Sequence, residues 1–135
     1  MKRMILLSLL ACIMIFTIVG IAACTPTVTY DEQEVRDYAY PATVTTLEGL
    51  SEGNLAKYTQ YGNAEFKAAV TQKMLDELKP NMDDELGNFV SIKFKSIEAK
   101  GKYIIVHYQA EYTKSEVGVR MVFDQDHLVA GQWFE

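Results

Sequence analysis

The chain is poor in the residues that most often carry chemistry. Its 135 residues include two cysteines, two histidines and one tryptophan. Cys12 and Cys24 both lie in the first 24 residues. The remainder therefore has no thiol, which excludes disulfides, cysteine-ligated zinc and a cysteine nucleophile there. Positive charge is also scarce, with 13 Lys and Arg against 18 Asp and Glu. An acidic surface of this kind disfavours nucleic acid and anionic headgroups as partners. No internal repeat or low-complexity stretch is visible, so nothing points to a solenoid or an array.

What is present first is a leader. Lys2 and Arg3 are followed by an uncharged stretch from Met4 to Ala23, the order of parts found in a secretory signal peptide. It ends Ile21-Ala22-Ala23-Cys24, which resembles the bacterial lipobox. Small side chains there let a peptidase reach the backbone, and the thiolate accepts a diacylglyceryl group as a thioether. An uncleaved spanning helix of the same length is the competing reading, but it has no need of the Ala-Ala-Cys ending. Residues 1–23 are thus expected to be a lipoprotein signal, with Cys24 the lipidation site. Palmitate-type acyl chains contribute about 0.8 kcal/mol per buried CH₂, enough for two or three chains to hold a protein at a membrane. The expected location is the extracytoplasmic side of the cell membrane, through the lipid anchor.

Removing residues 1–23 leaves 112 residues with 11 basic and 18 acidic side chains, net −7. That length suits one domain, expected over 34–135 behind a tether at 24–33. Asp31 and Glu34 form a capping-box pair opening a helix with Val35, Tyr38, Ala39 and Ala42 on one stripe. Pro41 is expected to kink or interrupt it, and Gly53 to stop its continuation. Asn63 caps a further stretch in which Phe66, Val70, Met74, Leu75 and Leu78 recur at helical spacing, with Pro80 as its expected end. After Asn88 the period becomes two: Val90, Ile92 and Phe94, then Ile104 to Tyr112, Val117 to Phe123 and Leu128 to Phe134. Helices followed by four alternating strands predict an α+β fold, with the N-terminal helices packed on one face of a four-stranded antiparallel meander.

The closing stretch from Val119 to Phe134 (VRMVFDQDHLVAGQWF) resembles the last hairpin of the domain of unknown function 3887. There an apolar strand ends in Phe-Asp, turns, and returns with an apolar residue three before a glycine. Gly53-Asn54-Leu55, opening a short second helix, is similar too, and the resemblance covers about residues 35–135. It implies an exported protein with the cone-like fold of the nuclear-transport-factor-two-like superfamily. It supplies no agreed activity and no catalytic residues.

Candidate sites are few. Gly49-Leu50-Ser51-Glu52-Gly53 matches the nucleophile-elbow spacing, but it lies at a helix end in a chain too short for that hydrolase sheet. Asp124, Asp126 and His127 read as an Asp-rich turn rather than a metal site, because Asp bonds its own backbone in turns. Neither a metal nor a cofactor is expected. Tyr108, Tyr112 and Met121, inward by alternation, and Tyr58 on the short helical stretch before Tyr61 read as core or, given the resemblance, as the lining of a ligand pocket between helices and sheet. No Asp or Glu shares the inward parity of the strands Ile104–Tyr112 and Val117–Phe123, so an isomerase-like base is missing from them. On the opposite parity, Phe89, Ile105, Val122 and Trp133 form an apolar group suited to a homodimer or another protein partner.

The functional expectation is a membrane-anchored binding or interaction domain without enzymatic activity. The alternative is a small cone-fold enzyme acting on an apolar ligand between helices and sheet. The anchor is testable by itself: the mature protein should partition into detergent and carry a mass excess of two or three acyl chains on Cys24. Cys24→Ala should abolish both, whereas an unchanged membrane-bound variant would identify a spanning segment instead.

Overall fold

The computed structural model describes residues 26–135; the leader and Cys24 lie outside them. The first helix, α1 (Glu32–Glu52), begins where Asp31 accepts the Glu34 N–H at 2.9 Å. It ends at Gly53, whose φ of 68° turns the chain out of the helix at no steric cost to a residue without Cβ. The helix opens two residues before the domain boundary expected at 34. Asn54 then caps α2 (Leu55–Tyr58), Asn63 caps α3 (Ala64–Ala69) and Thr71 caps α4 (Gln72–Glu85).

Neither helical proline ends its helix. α1 runs unbroken through Pro41, and α4 continues through Pro80 to Glu85. Proline removes one helical N–H and frees the carbonyl four residues back. Pro41 and Pro80 are both exposed, so water meets the freed carbonyls and the helices persist. The break that does occur falls at Val70, which is extended (φ −111°, ψ 132°) and leads into the Thr71 cap. The stripe expected to run from Phe66 to Leu78 is therefore divided between α3 and α4, and Met74 and Leu78 are left exposed.

The four strands are β1 (Phe89–Lys100), β2 (Tyr103–Tyr112), β3 (Glu116–Phe123) and β4 (Val129–Phe134). They pair antiparallel in the order β1-β2-β3-β4, and the helices cover one face, giving the α+β architecture read from the sequence. Ile104, Val106, Tyr108, Val119, Met121 and Phe123 all point into that helix-covered core, as the alternation required. Irregular pairing between Phe89 and Ser91 changes one assignment. Phe89 stands opposite Tyr112, its ring 5.7 Å away and edge-on, and packs against the core instead of the outer face. Val90, in the irregular step, is the residue turned out, at 53% exposure.

The outer face carries a polar chain across the strands. The His107 ring meets Glu98 at 3.3 Å and Glu135 at 3.1 Å, and Glu135 lies 3.6 Å from Arg120. The Arg120 guanidinium sits 4.9 Å from the centre of the Trp133 ring, which itself lies back over Gly131. Of the outer-face residues named from sequence, Ile105 is buried, Val122 half-buried and Trp133 is 47% exposed.

Gly49 sets how closely α1 and α2 approach. A Cβ there would overlap the Tyr58 backbone nitrogen and lie 2.7 Å from the Lys57 carbonyl carbon. Gly→Ala normally favours a helix interior by about 1 kcal/mol. Here Gly49→Ala should reverse that sign and destabilise the domain by roughly 1–3 kcal/mol, as overpacking does. Urea denaturation measures it, and a stabilised variant would refute the close approach.

Candidate functional site

Where α1 passes over β1, one face of the helix carries Arg36 and Tyr40, with Asp37 and Pro41 beside them, pairs spaced one turn apart. Beneath them, strand pairing sets Phe94 opposite Tyr108, ring centres 6.2 Å apart and nearly perpendicular. These six residues enclose a crevice of about 370 Å³. The Arg36 guanidinium lies 3.7 Å over the Phe94 ring and is held there by Glu32 at 2.6 Å. One wall is thus a cation stacked on an aromatic ring, and Tyr40 is an exposed second ring at the mouth.

The floor of the crevice is the more informative part. Tyr108 is only 2% exposed, yet its hydroxyl has no hydrogen-bond partner. The nearby Thr43 hydroxyl favours the ionised phenolate without making a bond of good geometry. Thr43, Thr46 and Tyr112 are buried with unpaired hydroxyls as well. A buried polar group without a partner costs about 1–3 kcal/mol, so four such hydroxyls in one small domain are unusual. Burial pushes the Tyr108 phenol up to about 12. At neutral pH it therefore keeps its proton.

The four inward residues named from sequence do not share one site. Tyr108 lines the crevice. Tyr58 lines a separate groove with Phe66, Met74 and Trp133, and its hydroxyl donates to Gln132 Oε1 at 3.2 Å. Tyr112 packs edge-on between Phe89 and Phe134, and Met121 is wholly buried in the core. Sequence reasoning missed Arg36, Asp37, Tyr40 and Phe94. The spacing of Arg36 and Tyr40 was visible, but their meeting with β1 depends on a long-range contact. It also looked for an acid only on the strands, whereas α1 supplies Asp37 at the mouth.

Other motifs resolve into structural roles. Ser51 Oγ accepts the Phe89 N–H at 3.1 Å, tying the end of α1 to the start of β1. Asp124 Oδ1 accepts the N–H groups of Asp126 and Leu128 at 2.9 and 3.0 Å, and Oδ2 accepts the Asn63 amide at 3.0 Å. Burial pushes the Asp124 carboxyl up, but these bonds and His127 outweigh it and hold it below the usual range. Among the described residues, no three His, Cys, Asp or Glu side chains converge as metal ligands. No described helix is long and apolar enough to cross a membrane.

The buried phenols predict a pH dependence. Burial raises Tyr58 and Tyr108 to about 12, against an ordinary value of 10.0, and raises Tyr112 further. A folded-state value above the unfolded one stabilises fully below pH 10 and is lost as pH climbs toward 12. Ultraviolet titration should show these tyrosines ionising late, together with loss of tertiary circular dichroism. Ionisation of all tyrosines near pH 10 with the fold intact would refute the burial.

No curated protein matches the chain. Its residues 45–131 match the family described as "Protein of unknown function (DUF3887)". That match covers more than half of the sequence and spans α1's second half through β4's centre, so the chain belongs to this family.

Proposed function

We propose that the protein is an extracytoplasmic lipoprotein whose domain binds a small ligand without transforming it. The leader and its Ile21-Ala22-Ala23-Cys24 ending support the anchor. The support for a binding role is an aromatic crevice walled by Tyr40, Phe94 and Tyr108, with the buried, unpaired Tyr108 hydroxyl beneath its surface. The ligand class that fits is an apolar ring bearing a neutral acceptor oxygen. In this reading Phe94 and Tyr40 contact the ring, a shift of the buried Tyr108 side chain brings its hydroxyl to the oxygen, and the opposite charges of Arg36 and Asp37 leave no net demand for an ion.

The second reading, a small enzyme acting on an apolar ligand, has Asp37 in its favour as a carboxylate lining the crevice. Asp37 is exposed and already accepts the Gln33 amide at 2.8 Å, a setting that suits solvation more than proton abstraction. We further propose the outer sheet face around Val122 and Trp133, with Ile105 buried beneath it, as a contact for a second copy or another protein. Arg120 and the carboxylates beside it would join the rim of that contact.

Acetophenone and its carbonyl-free analogue ethylbenzene test the crevice. In nuclear magnetic resonance titrations, acetophenone should shift signals of Arg36, Phe94 and Tyr108. Tyr108→Phe should weaken acetophenone about five-fold, the value of one neutral hydrogen bond of about 1 kcal/mol, and leave ethylbenzene unaffected. Shifts at none of the three residues with either probe would overturn the reading.

A further inference from the structure

The first described residues are fastened to one end of the sheet. The Val28 N–H donates to the Gly101 carbonyl at 2.8 Å, and the Tyr30 hydroxyl donates to the Ile97 carbonyl at 3.3 Å. Val28 also packs on the core. Cys24 stands four residues earlier, and four residues reach at most about 14 Å. The β1–β2 turn at Gly101, the β3–β4 turn at Asp124–Leu128 and the start of α1 occupy this end. The β2–β3 turn at Thr113–Ser115 lies at the other end, roughly 30 Å away along the ten residues of β2.

A cavity of about 250 Å³ opens at the fastened end, walled by Val28, Thr29 and Tyr30 and by residues of α1 and both turns. Inside it the His127 ring stacks on Tyr38, centres 4.1 Å apart and within 6° of parallel. His127 holds this position at φ 61°, a left-handed backbone that a residue with Cβ adopts at some cost. Glu34 and Asp124 lie on the same lining with Lys102. Burial, then Glu34, then Asp124 push the Tyr38 phenol up to about 12, so both carboxylates act on the same ring. Two carboxylates around stacked aromatic rings suit an ammonium group, and a single lysine beside them suits a phosphate. Leu128 and Tyr30 are exposed at this end as well, an apolar and an aromatic side chain of the kind found at the bilayer interface.

We infer that this end of the domain lies on the bilayer, and that its cavity receives the ammonium of a zwitterionic ethanolamine headgroup while Lys102 meets the phosphate. The inference rests on the lipid-anchored reading. Its partner is the membrane surface itself, and the mixed charges at this end match a zwitterionic surface better than an anionic one.

Site-specific nitroxides on the full, acylated chain test it, because the acylated Cys24 leaves the introduced cysteine as the reactive thiol. Asp126→Cys labels the fastened end and Ser115→Cys the far end. In vesicles of phosphatidylethanolamine with phosphatidylglycerol, the label at 126 should be several-fold less accessible to a water-soluble nickel chelate than the label at 115. That difference should fall by half or more in vesicles of phosphatidylglycerol alone, and likewise with Glu34→Gln in the mixed vesicles. Equal accessibility of the two labels on an anchored protein would overturn the orientation. Equal shielding at 126 in both vesicle types would overturn the headgroup pocket. A chain with no acyl mass that fails to float with vesicles would instead remove the anchor, and this inference with it.

Discussion

The seating of α1 on the inner face of the sheet is the contact on which the rest depends. The buried face of that helix is built from small residues, Ala39, Ala42, Thr43, Thr46 and Gly49, with Val35, Leu47 and Leu50 among them. Small side chains let the helix axis come close to the strands, and Val106, Tyr108, Val119 and Met121 fill the layer beneath. The same closeness leaves the threonine and tyrosine hydroxyls with little freedom to find partners. A crevice is left at the sheet margin, where Arg36 stacks on Phe94 of β1 and Tyr40 stands beside it.

The strands were the most legible part of the sequence because a period of two has few competing explanations once a face must be buried. Ile104 to Tyr112 and Val117 to Phe123 could be assigned inward or outward residue by residue. Phe89 could not, because an irregular pairing step inverts parity and leaves no mark in the alternation. The prolines misled for a related reason: a proline's effect depends on whether its freed carbonyl faces water, and that is a property of the packed helix. The break at Val70 did have a sequence signal in the Thr71 cap, which the apolar spacing across it obscured. Asp31, Gly53 and Asn63 were readable because capping is local chemistry.

The candidate site was less legible. Tyr108 was identified as inward, but nothing local pairs it with Arg36 and Phe94, whose approach requires the whole helix-on-sheet arrangement. Tyr112 and Met121 share its parity, and Tyr58 faces the core from α2, yet none of them lines the same crevice. Parity assigns a face, whereas a site needs the neighbours on that face. The outer face gave the opposite outcome. Its apolar residues are there, but His107 and Arg120 both engage Glu135 across it, so its character is set by a polar network that single-strand alternation does not reveal.

The irregular steps in β1 have a bearing on solubility. β1 is twelve residues long and lies at one margin of the sheet, so its unpaired backbone groups invite pairing with a neighbouring chain. Its ladder is broken twice, at Phe89/Ser91 and Phe94/Ser96, and Lys93, Lys95 and Lys100 stand exposed along it. At the other margin, Tyr61 and Asn63 occupy the backbone groups of Val129. A regular, uncharged strand of that length would be a template for sheet-to-sheet stacking. In this domain a kinked and lysine-studded margin keeps chance encounters between copies from becoming permanent ones.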